Sequence, residues 1–218
     1  MPSTLQYRNN IAVLNLGDDE NRFSPDFLDT VDAQLNEVAD KAQALITTGT
    51  SKFYTNGLDL EWLSANRDRL AWYVGRVQEL FCRILTFPLP TVAAINGHAF
   101  GAGSMLAIAH DYRVMREDRG YFCFPEVDIK IPFTPGMAAL IQAKVPPQTA
   151  VTAMTTGRRY GGPEALDAAL VDDIAPEAGV VDTALDRVQP IVGKDPGTLG
   201  AIKTTMYTAV LEALRETH

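Results

Sequence analysis

Three short apolar runs in register with intervening helices constrain this chain most. IAVLNLG, ALITTG and TVAAIN read as buried strands, and amphipathic segments separate them. After the Ser24-Pro25 pair, Phe27, Leu28, Val31, Leu35 and Val38 recur at helical spacing behind a cap and an N1 proline. Between ALITTG and TVAAIN the same spacing returns in Leu70, Tyr73, Val74, Val77, Leu80, Phe81 and Ile84, predicting a helix over 68–86. Strand, helix, strand in that order is the signature of crossovers into a parallel sheet. Asn9-Asn10, between LQYR and IAVLNLG, predicts a β-hairpin at the start.

Further on, GHAFGAGSMLAIAHD reads as a glycine-studded turn running into an apolar helix, and YRVMRED as another strand. Beyond Pro135 the pattern is predominantly helical, over 136–143, 147–155, 163–169, 180–192 and 196–215. With no repeat, low-complexity stretch or linker, the expectation is an α/β core over 1–195 followed by a C-terminal helix over 196–218.

A length of 218 residues at 46% hydrophobic content provides for a substantial core. The 27 acidic residues outnumber 19 basic ones, and the resulting charge of −8 argues against broad binding to nucleic acid or anionic membranes. It leaves room for a local basic pocket for a phosphorylated small molecule. Cys82 and Cys123 lie in apolar segments without metal-ligand spacing, as buried thiols in a reducing compartment do. No basic stretch leads into an apolar run at the N-terminus, no segment has bilayer-spanning length, and LRETH is not a Ser-Lys-Leu address. A cytoplasmic protein is expected.

Two stretches place glycine just after a buried strand, where backbone amides can face a ligand. In FYTNGLDLEWL, Asn56-Gly57 leaves the Leu58 amide in a turn ahead of a short helix. In INGHAFGAGSMLA, Gly97, Gly101 and Gly103 precede a helix, so the amides near Ala102 sit at its positive end. Each stretch by itself is either an ordinary connection or half of an oxyanion hole. INGHAFGAG lacks the G-x-G-x-x-G spacing of a dinucleotide site. Asp59 reads as a helix N-cap, His98 and His110 as structural side chains, and Lys52, Arg158 and Arg159 as solvated cations that the phosphate of a small molecule would also suit. Neither a metal site nor a nucleophilic triad is evident.

Taken together, SKFYTNGLDL, PTVAAINGHAFGAGSMLAIAHDYRVM, FPEVDIKI and TGRRYGGPEALDAALVDDI resemble the enoyl-CoA hydratase/isomerase (crotonase) family over nearly the whole chain. The resemblance implies a ClpP/crotonase-type α/β fold, with repeated ββα units forming a spiral of small sheets surrounded by helices and then a C-terminal helical region. It implies an acyl-CoA thioester as substrate, no separate cofactor, and a homotrimer or dimer of trimers. It puts the oxyanion-hole amides on Leu58 and Ala102, with Gly57 and Gly101 beside the substrate.

The family's hydratases use two glutamates. Here the first position is Met105, whose thioether cannot accept a proton from water, and the second is Glu126. One carboxylate suffices for a double-bond shift, so the resemblance is closest to the Δ3,Δ2-enoyl-CoA isomerase branch. Burial among Met105, Phe124 and Phe133 is expected to raise the Glu126 pKa toward that of a working base. Three departures stand against the commoner family pattern: Ala102 in place of a glycine, no glycine pair and arginine in IPFTPGMAALIQAKV, and a shortened C-terminal region. Hydration with another second group, and acyl-CoA binding without turnover, are the alternative readings.

Overall fold

The computed structural model describes residues 2–216. Strands β1 (Thr4–Arg8) and β2 (Ile11–Asn15) form the expected hairpin, with Arg8 opposite Ile11. A two-residue turn of this kind needs positive φ at both central positions, and Asn9 and Asn10 supply 50° and 66°. Helix α1 (Pro25–Lys41) starts where Ser24 accepts the Phe27 amide at 3.2 Å, and it buries Leu28, Val31, Leu35 and Val38. It returns the chain to β3 (Ala44–Thr48), parallel to β2.

A repeat then becomes visible in space. β3 is followed by β4 (Phe53–Thr55), then α2 (Leu60–Ala65) and α3 (Leu70–Leu85). β5 (Thr91–Ile95) is followed by β6 (His98–Phe100) and α4 (Ala102–Ala109). β7 (Tyr112–Arg116) is followed by β8 (Phe122–Cys123) and α5 (Glu126–Ile129). The first strand of each pair joins a large sheet, ordered β1-β2-β3-β5-β7-β9, and the second joins a small parallel sheet, β4-β6-β8. This is the expected spiral of ββα units.

The helices α6 (Pro135–Lys144), α7 (Pro147–Thr156) and α8 (Gly162–Asp167) follow, then β9 (Asp173–Ala175), α9 (Val180–Val188), α10 (Pro196–Met206) and α11 (Thr208–Arg215). One apolar cluster fills the space between the large sheet and α1, α3, α4, α6 and α11; a second lies on the sheet's other face under α9. Among the described residues no helix is long and apolar enough to cross a membrane.

Three elements differ from the sequence-based expectation. Residues 98–100, read as part of a turn, form β6, because pairing with β4 and β8 on either side satisfies a backbone too short to show a period. The late region contains β9, which completes the large sheet beside β7. The helix expected over 196–215 is divided at Tyr207 (φ −113°, ψ 19°), and the second piece turns its buried Val210, Leu211 and Leu214 onto α3 and α6.

Candidate active site

The C-terminal ends of β4 and β6 and the N-terminal ends of α2, α4 and α5 meet around one cavity of ≈ 290 Å³. The Asn56-Gly57 turn is pinned to the 20–23 loop. Thr55 donates its hydroxyl to the Asn21 carbonyl at 2.7 Å and accepts the Gly57 amide at 3.0 Å, while the Gly57 carbonyl accepts the Phe23 amide at 2.8 Å. These bonds use the donors and acceptors around the Leu58 amide but leave that amide itself with no protein acceptor among the described residues.

The Ala102 amide is the first of α4 and likewise has no protein acceptor, as the opening N–H groups of a helix do not. The two turns touch backbone to backbone. A Cβ at Gly57 (φ 77°) would lie 3.0 Å from the Ala102 nitrogen and 2.7 Å from the Phe100 oxygen, and one at Gly103 would lie 2.3 Å from the Thr55 oxygen. Glycine is required at both positions for this approach. Ser104 holds the arrangement from beneath, its Oγ 2.6 Å from the Ala99 carbonyl and 2.9 Å from that of Cys123.

Glu126 begins α5 directly after Pro125 and is 8% exposed. A Cβ at Gly101 (φ 53°) would sit 3.2 Å from Glu126 Oε1, so the glycine leaves the space beside the carboxylate clear. Glu126 Oε2 is buried with no hydrogen-bond partner among the described residues. Removal from water disfavours the charged form and pushes the Glu126 pKa up to about 7, against a smaller opposing pull from its own backbone amide. An orphaned buried carboxylate oxygen costs on the order of 1–3 kcal/mol, so it calls for a role other than stability.

Leu58, Gly101, Ala102 and Glu126 line this cavity together. Gly57 is not among the lining residues, although it precedes Leu58 and packs against the turn that carries Ala102. Met105, Phe124 and Phe133 are not among the lining residues. Met105 and Phe124 are 1% and 0% exposed within the core, where Phe124 meets Phe133 edge-on at 6.3 Å. The apolar walls are instead Leu60, Pro125, Ile129 and Ile131. Lys130 in the left-handed conformation (φ 59°) ends α5 and folds the chain back, and the Ile131 amide bonds to the Glu126 carbonyl at 3.0 Å. Alternate apolar residues in VDIKIP were the available signal for these walls.

Among polar residues, Arg22, Glu61 and Arg159 also line the cavity. Arg22 is held by Glu20 and Glu61 at 2.5 and 3.1 Å. Arg159 has no carboxylate partner among the described residues and lies 5.7 Å from the Phe100 ring centroid. Lys52 and Arg158 do not line it, and Arg158 pairs with Glu164 at 3.2 Å. Asp59 caps α2 by accepting the Trp62 amide at 3.0 Å. His98 accepts the Tyr121 amide and stacks on Phe100 at 5.0 Å, while His110 is wholly buried in a hydrogen-bonded chain. Among the described residues no group of His, Cys, Asp and Glu has the makings of a metal site.

The enoyl-CoA hydratase/isomerase family profile matches residues 6–218. Enoyl-CoA delta isomerase 3 of Arabidopsis thaliana is 37% identical over 202 residues, covering 88% of this chain and 85% of its own length. Carnitinyl-CoA dehydratase of Escherichia coli strain K12 is 31% identical over 176 residues, covering 79% and 67%. The crystal structure of human mitochondrial delta3-delta2-enoyl-CoA isomerase superposes with a TM-score of 0.90 at 24% identity, over 98% of this chain and 86% of that one, and so shares the fold. By sequence match and by architecture, the chain belongs to the enoyl-CoA hydratase/isomerase family and has the crotonase fold.

Proposed function

We propose that this protein is an enoyl-CoA isomerase that converts a 3-enoyl-CoA into the conjugated 2-enoyl-CoA. In this reading the Glu126 carboxylate removes a proton from C2, and the electrons move into a dienolate whose thioester oxygen accepts hydrogen bonds from the Leu58 and Ala102 amides. The protonated Glu126 then delivers the proton to C4, which leaves the double bond at C2 and restores the carboxylate. The supporting observation is a buried carboxylate oxygen without a partner among the described residues, in one cavity with two amides that likewise have no protein acceptor among them. Donors fixed before the reaction stabilise the developing enolate without reorganising. A base whose pKa lies near 7 combines a usable deprotonated fraction with real proton affinity.

A homotrimer or dimer of trimers belongs to the same reading. Ile202 and Met206 on α10 are 50% and 65% exposed, apolar surface that association would cover. The unpaired, buried Cys82 and Cys123 support a reducing compartment such as the cytoplasm.

One observation favours a second reading, the addition or removal of water. Glu61 lines the same cavity and would be the second carboxylate such chemistry requires, although its side chain is 85% exposed and ion-paired with Arg22. Purified protein offered a 3-enoyl-CoA and, separately, a 2-enoyl-CoA decides between them. The isomerase reading expects conjugation of the first with slow or no hydration of the second. Prompt hydration of the 2-enoyl-CoA, abolished by Glu61→Gln, would replace it.

A further inference from the structure

A second cavity, ≈ 710 Å³, adjoins the one at Glu126, and Leu58, Leu60 and Ile131 line both. Its size falls in the range of about 300–1,000 Å³ that buries most of a drug-sized ligand. Ala71, Val74, Gly75 and Gln78 of α3 form one wall at helical spacing, with Ile131, Pro132 and Leu214 opposite. Gln78 is satisfied within the wall, donating to the Leu214 carbonyl at 2.8 Å and accepting the Thr134 hydroxyl at 2.5 Å, so it asks nothing of an occupant.

Among the glycines around these two cavities, Gly75 has neither a positive φ nor a close neighbour to account for it. Gly57 and Gly101 have positive φ, and Gly57 and Gly103 sit where another backbone leaves no room for a side chain. Gly75 lies inside α3, where glycine weakens a helix relative to alanine, and a Cβ built on it would meet nothing within 4 Å. What the missing side chain preserves is open space, in a cavity that shares Leu58, Leu60 and Ile131 with the one at Glu126.

We propose that Gly75 keeps open a channel for the acyl tail, fitting this protein to long, unbranched acyl thioesters, with Gly75 as the residue that sets chain length. This rests on the acyl-CoA reading above and extends it to a substrate class. The polar end of the channel, where exposed Asp68 and Arg215 line it, leaves the tail an outlet to solvent.

The test compares kcat/KM for 3-hexadecenoyl-CoA with that for 3-hexenoyl-CoA in the wild type, Gly75→Phe and Ala71→Phe, together with the affinity of the wild type for palmitoyl-CoA and hexanoyl-CoA. Each methylene removed from water adds a fewfold to binding, so the wild type is expected to hold palmitoyl-CoA at least roughly tenfold more tightly than hexanoyl-CoA. Both phenylalanine variants are expected to lower the long-to-short kcat/KM ratio by at least roughly tenfold. Equal affinity for the two saturated thioesters, or an unchanged ratio in a folded variant, would overturn the channel. A wild type that binds with the expected chain-length preference but isomerises neither 3-enoyl-CoA would uphold the channel and sink the isomerase reading.

Discussion

Glu126 and His110 are both buried ionisable side chains, 8% and 0% exposed, and their surroundings treat them in opposite ways. Around His110 every polar atom is answered. Its Nδ1 faces the Leu106 carbonyl at 2.8 Å and therefore carries the proton. Its Nε2 then accepts from the Thr47 hydroxyl at 2.9 Å, and Thr47 accepts from Tyr54 at 2.7 Å. Burial pulls the His110 pKa down to about 4 and keeps the ring neutral. Around Glu126 one oxygen has no partner among the described residues, and Gly101 leaves the space beside the carboxylate clear. A completed network is a structural solution, whereas a buried group left incomplete next to a cavity is held ready for something that enters.

The largest test of that contrast is catalytic. Glu126→Gln keeps the shape and removes the base, so kcat for isomerisation is expected to fall by about 10²–10⁴, with acyl-CoA affinity retained in a calorimetric titration. Full activity in this variant would erase the distinction between the two regions. Next comes the oxyanion donor. Proline at the first position of a helix is well tolerated, so Ala102→Pro deletes one N–H at little structural cost and is expected to reduce kcat by roughly 10²–10³ with an unchanged thermal melt.

At the other region the readout changes from rate to stability. His110→Phe strands the Thr47 hydroxyl and is expected to lower the unfolding free energy by about 1–3 kcal/mol in denaturant titrations, while folded molecules keep their turnover. The smallest effect is one of sign. The raised Glu126 pKa gives stability that is fully present below the ordinary glutamate value and is lost as pH rises through about 7. Glu126→Gln should therefore become the more stable protein above that pH, by on the order of 2 kcal/mol. The lowered His110 pKa works the other way, its contribution being present above the ordinary histidine value and lost as pH falls through about 4. Melts of the wild type and Glu126→Gln across that range check both directions.

Much of the fold was legible because its long elements carry their own signals. Asn9-Asn10 announced a hairpin, Ser24-Pro25 a helix start, and the apolar runs of β3 and β5 the large sheet. Strands β6, β8 and β9, of two or three residues each, are defined by partners far away in sequence, and so short a segment has no period to read. The cavity walls did carry an alternation in sequence, but their place depends on a turn. Ile129 and Ile131 reach the site only because Lys130 turns back through positive φ, and Met105 and Phe124, close to Glu126 in motif, point into the core. Glu126 itself stood out through family resemblance; its orphaned oxygen depends on which neighbours burial brings, which no local pattern encodes.

Whether Glu126 is the base is read from the pH dependence of kcat/KM for a 3-enoyl-CoA, which reports the ionisation of the free enzyme. Activity is expected to rise with pH along a single limb centred near 7, matching the raised pKa of Glu126, and this limb is expected to vanish with the activity in Glu126→Gln. A limb at the ordinary glutamate value, or a profile that Glu126→Gln leaves intact, would contradict that role for Glu126.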